Sequence, residues 1–102
     1  MAMVKHIIIW TLKSEYDADQ KAKICDNIKS NLEALKEKID GIIDIKVQTE
    51  HLASSNGDLM LDSTFESVDA LKAYAVNPAH VEVADRDVRP FVASRSCLDF
   101  EI

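Results

Sequence analysis

Residues 4–12, VKHIIIWTL, constrain this chain more than any other stretch. Their β-branched and aromatic content marks a strand, and strand alternation divides them into Val4, His6, Ile8, Trp10, Leu12 and Lys5, Ile7, Ile9, Thr11. Both sets are substantially apolar, so the strand needs cover on both sides. Helices of the same chain supply one cover. The other falls to an identical copy, because packing two sheets face to face lets one gene product bury its own patch in a homodimer. Ile42, Met60, Leu98 and Phe100 are expected to extend the patch around Ile7 and Ile9.

Helical periodicity begins after Asp17, where Asp-Ala-Asp-Gln offers an N-cap carboxylate and a glutamine three residues on. The pattern predicts a helix from about 18 to 39, with Ile24, Ile28, Leu32, Leu35 and Ile39 facing inward and Gly41 as a left-handed cap. GIIDIKVQT reads as a second strand in which Ile43, Ile45 and Val47 alternate with Asp44, Lys46 and Gln48. A polar loop at 54–58 leads into a third strand, DLMLDSTF. Ser67 then caps a helix running to about Ala75, and Asn77-Pro78 caps and opens another helical piece to about 88. FVASRSCLDFEI has the length and residue types of a fourth strand. Neither of its alternating sets, Ala93, Arg95, Cys97, Asp99 or Ser94, Ser96, Leu98, Phe100, is cleanly apolar, so its register stays open. The order β-α-β-β-α-β belongs to the α+β class: a ferredoxin-like, four-stranded antiparallel sheet with helices on one face.

At 102 residues and 47% hydrophobic content the chain suits a single domain, 1–102, burying roughly two-thirds of its unfolded surface. Eighteen acidic against twelve basic residues give a net charge of -6 with no basic cluster, which argues against a nucleic-acid partner. The longest apolar run near the start, Ile7 to Trp10, is too short to span a bilayer, so no membrane association is expected. Cys25 and Cys97 lie far apart and no signal-peptide region opens the chain, pointing to free thiols and a cytoplasmic location. His6, His51 and His80 are scattered and only two glycines are present, so neither a metal nor a nucleotide cofactor is expected.

Four stretches carry a family resemblance: VKHIIIWTLK, SSNGDLMLDSTFES, ALKAYAVNPAHVEVA and RPFVASRSCLDFE. Together they cover nearly the whole chain. They resemble the stress-responsive dimeric α/β-barrel (Dabb) family, the most specific element being the tyrosine followed by Asn-Pro-Ala-His. The resemblance implies a ferredoxin-like protomer and a dimeric α/β barrel closed between two sheets. One plant branch holds polyketide cyclases of the olivetolic acid cyclase type, in which the positions of Tyr74 and His80 are catalytic and that of His6 lines the pocket. Asn77 departs from that branch, which has histidine there. The first helix offers Cys25, Ile28 and Leu32 where the branch carries aromatic residues.

The residues themselves support two functions. One is a small, partly apolar molecule held between sheet and helices by Ile8, Trp10, Ile28, Leu61, Val83 and Cys97. The other is cofactor-independent chemistry on a carbonyl substrate, as a polyketide-like cyclase, lyase or isomerase. There His80 is general base, kept neutral by its place at the third position of a helix. Tyr74 orients it through a hydrogen bond or polarises the carbonyl, and His6 assists. A tyrosine bonded to a helix-start histidine also serves purely structural ends. Arg95 meets an anionic ligand at the cavity mouth if Cys97 faces inward, and is a solvated strand-start arginine otherwise.

Overall fold

The computed structural model describes residues 2–102. Strand β1 (Val4–Leu12) leads into α1 (Ala18–Glu33), then β2 (Ile42–Gln48), β3 (Leu59–Phe65), α2 (Val68–Val76), α3 (Pro78–Val83) and β4 (Val92–Glu101). The sheet is antiparallel in the order β2-β3-β1-β4, the ferredoxin-like arrangement.

Local signals set the helix ends. Asp17 accepts from the Gln20 amide while the Gln20 side chain accepts from the Asp17 amide, a reciprocal box that satisfies two helix-start donors. Ser67 caps α2 through the Ala70 amide, and Asn77 caps α3 through the Ala79 amide with Pro78 in the first turn. The α-helical part of α1 stops earlier than the apolar spacing predicts. It tightens into a 3₁₀ turn over Ala34–Glu37, which still buries Leu35 and leads to the buried Ile39. Gly41 follows at φ 92°, the left-handed conformation expected of it, and a Cβ there would lie 2.8 Å from the Cβ of Ala70. Two constraints, backbone and packing, therefore exclude a side chain at 41.

After α3 the chain winds through a π turn, Ala84–Val88. Its buried Asp87 holds the turn against α1, accepting from the amides of Asn27 (3.0 Å) and Asn31 (2.8 Å) and from Arg86 (2.8 Å). The Arg86 guanidinium, together with these amides, keeps the Asp87 carboxyl below its ordinary range.

β1 buries Val4, His6, Ile8, Trp10 and Leu12 beneath the helices, together with Ile45, Val47, Leu59, Leu61 and Phe65 from the neighbouring strands. The opposite face keeps its apolar residues in the open. Ile9 is 44%, Leu98 64% and Phe100 42% exposed, with Ile7 paired to Leu98 and Ile9 to Met60. One expected member of that face is elsewhere: Ile42 pairs with Phe65 and is buried in the core. A register shift between Ile42 and Asp44 inserts Ile43 as an extra residue, which reverses the alternation and turns Ile43 outward in place of Ile42.

β4 settles the register that its sequence leaves open. Arg95, Cys97 and Asp99 pair with Trp10, Ile8 and His6 and so share the helix-side face. From Ala93 onward β4 is exposed, because the helices stop short of this outer strand.

Candidate functional site

A cavity of about 250 Å³ opens between sheet and helices. Its sheet side is His6, Ile8, Trp10 and Leu61; its helix side includes Leu32, Leu71, Tyr74 and His80; the exposed Arg89 and Arg95 stand at the rim. Of the residues the sequence singles out, His6, Tyr74, His80, Ile8, Trp10 and Leu61 therefore border one space. Ile28 and Val83 do not: both are packed into the core, Ile28 one turn before Leu32 and Val83 on the buried side of α3. Cys97 borders a neighbouring groove lined by Val4, Val68, Lys72 and Phe100, which shares His6, Leu71, Ala75 and Arg95 with the cavity.

Tyr74, on the last turn of α2, is 1% exposed, and its hydroxyl has no hydrogen-bond partner. Burial pushes its proton affinity far above that of a free phenol, so the group is a neutral donor. The hydrogen bond to His80 that the sequence suggests is not formed. The two rings stack instead, with centroids 4.1 Å apart and planes 36° from parallel, because Pro78 starts α3 only four residues after Tyr74 and lays His80 over its ring.

His80 directs Nδ1 at the Ala75 carbonyl, 3.3 Å away. A carbonyl can only accept, so Nδ1 carries the proton and Nε2 the lone pair. Burial lowers the pKa of His80 below the ordinary imidazole value; the Ala75 carbonyl opposes this, while the nearby Arg89, His6 and Arg95 add to it. The sequence credits the neutral form to the helix start, but desolvation of the half-buried ring is the leading cause.

His6 is buried, and its Nδ1 is hydrogen-bonded to the Asp99 carboxylate across the β1–β4 pair. Cys97 Sγ lies 3.9 Å from the same nitrogen and 3.5 Å from the Asp99 carboxylate. Burial and the Asp99 charge raise the Cys97 thiol above its usual range, so it is a thiol, not a thiolate. These three groups place one nitrogen, one sulfur and one oxygen within 4.8 Å of one another, a donor set of a kind zinc accepts. Sequence spacing misses the trio because the fold pairs His6 with residues more than ninety positions away. Only the alternation Arg95, Cys97, Asp99 hints at it. Leu71, Val88 and Arg89 also escape a sequence reading, since their approach to the cavity depends on how α2 and the π turn pack.

A ferredoxin-like sheet with an open apolar face and a cavity under its helices defines the class. The chain belongs to the Dabb family, the stress responsive A/B barrel domain, whose model matches residues 4–102. A dimeric ferredoxin-like protein of unknown function from Bacteroides fragilis is 31% identical, covering 100% of this chain and 98% of that one, with a TM-score of 0.92. A dimeric ferredoxin-like protein of unknown function from Thermobifida fusca is 19% identical over 99% of this chain and 92% of that one (TM-score 0.82). The hydroxynitrile lyase of Passiflora edulis is 21% identical over 99% and 94% (TM-score 0.81). These last two likenesses show the fold. No curated protein matches the chain. Among the described residues, no helix is long and apolar enough to cross a membrane.

Proposed function

We propose that this protein is a single-domain homodimer, joined through the open sheet face, that holds a small, partly apolar molecule between sheet and helices. The carrying observation is the Tyr74 hydroxyl, buried beside the cavity without a partner. An unsatisfied buried donor costs about 1–3 kcal/mol, and a ligand carbonyl that accepts from it recovers that loss. Relatives described as dimeric support the pairing. The free thiols Cys25 and Cys97 suit a reducing, cytoplasmic setting, and a net charge of -6 does not favour a nucleic-acid partner. Trp10 is the chain's sole tryptophan and borders the cavity, so its emission reports occupancy. Titration with medium-chain ketones shifts that emission saturably; no shift at millimolar concentrations removes the reading.

A second reading, favoured by the neutral His80 beside a free phenol donor, is cofactor-independent lyase, cyclase or isomerase chemistry. His80 Nε2 takes a proton from the carbon next to a carbonyl, the electron pair moves onto the carbonyl oxygen, and the Tyr74 hydroxyl donates to that oxygen. His6, held by Asp99, assists. The lyase from Passiflora edulis shows that this fold can carry an enzyme. Proton–deuteron exchange of a β-keto ester, followed by NMR, tests the step: equal rates with wild type and His80→Ala eliminate it.

A further inference from the structure

The cavity and the chain disagree in sign. The protein carries a net charge of -6, yet among the described residues no aspartate or glutamate borders the cavity. The ionisable groups there are His6, His80, Arg89, Arg95 and the phenol of Tyr74. Arg95 projects from β4 opposite Trp10 and pairs with no carboxylate among the described residues. Arg89 is hydrogen-bonded to Asp85 at the surface, yet its charge, like that of Arg95, is felt by His80. The cavity's side-chain donors include the two guanidinium groups and the Tyr74 hydroxyl, which has nothing to bond, against the lone pair on His80 Nε2 as acceptor. A cleft lined by charge of one sign concentrates ligands of the other. A guanidinium fork fits a carboxylate in two parallel hydrogen bonds.

We propose that the occupant of this cavity is an organic acid, its carboxylate paired with Arg95 beside Arg89 and its apolar body against Ile8, Trp10 and Leu61. The proposal rests on the small-molecule reading above and narrows it to a chemical class. It also gives Arg95 the role of selecting the ligand by charge.

Three ligands of one length separate the two claims: octanoate, octanamide and octylamine, each titrated into the full chain with Trp10 emission as readout. Octanoate binds about tenfold more tightly than octanamide, octylamine binds most weakly, and the preference shrinks as salt is raised from about 50 to 500 mM. Arg95→Met brings octanoate to the affinity of octanamide, while Arg95→Lys keeps part of the preference. Equal binding of octanoate and octanamide to wild type overturns the acid assignment and leaves the cavity reading standing. Arg95→Met with the full preference also overturns it, since the selecting charge then lies elsewhere. Silence from all three ligands overturns both.

Discussion

The rings of Tyr74 and His80 stack 4.1 Å apart, yet the Tyr74 hydroxyl and the His80 imidazole share no hydrogen bond. Each group is spoken for differently. The imidazole is anchored to the Ala75 carbonyl, and the phenol is anchored to nothing.

That asymmetry predicts a split outcome for Tyr74→Phe. The ring packing against Phe65 and His80 is retained, and an orphaned donor is removed. Stability therefore stays level or rises by about 1 kcal/mol in denaturant unfolding, while ligand binding weakens. A loss of more than about 1 kcal/mol means that the hydroxyl has a partner in solution.

His80 titrates below a free histidine, whose value is about 6.5. The folded state therefore gains from the neutral ring above about pH 6.5, and that gain disappears as pH falls through the lowered folded value. NMR of the ring protons should give a midpoint under 6.5 that moves upward in Arg95→Met, which removes one of the charges opposing protonation. A midpoint at or above 6.5 contradicts the burial argument.

Ile9→Asp places a charge at the centre of the open face, beside Met60 and Ser96, without touching the core. Light scattering is expected to shift from dimer toward monomer while the circular dichroism of the folded protein persists. An unchanged dimer mass assigns the pairing to another surface.

Gly41→Ala forces an alanine into a left-handed φ of 92° and its methyl against Ala70. The conformation alone costs roughly 1–2 kcal/mol, and the contact adds to it. Thermal unfolding should drop by about 5 °C or more; a drop under about 2 °C means that the loop between α1 and β2 relaxes freely.

The first strand was legible because both of its alternating sets are substantially apolar, and the caps at Asp17, Ser67 and Asn77 because capping is local. Tyr74, His80 and His6, singled out in the sequence, border one cavity. Ile42 and Ile28 show where sequence stops. A bulge at Ile43 reverses the facing of Ile42 with no glycine or proline at the bulged position itself to announce it, and Ile28 lies one turn too deep on α1 to reach the cavity. Asp99 is invisible as a partner of His6 until β1 and β4 are paired, because that contact exists only in three dimensions.

The π turn over Ala84–Val88 amounts to one surplus residue wound into a helix. In the short helical turn that follows, Arg89–Phe91, each side chain is swung about 100° from where an uninterrupted α-helix would carry it. Val88 and Arg89 look onto the cavity in that shifted phase. Deleting a single codon here would thus rotate the arginine away like a key turned in a lock, stripping the entrance of one of its two cations.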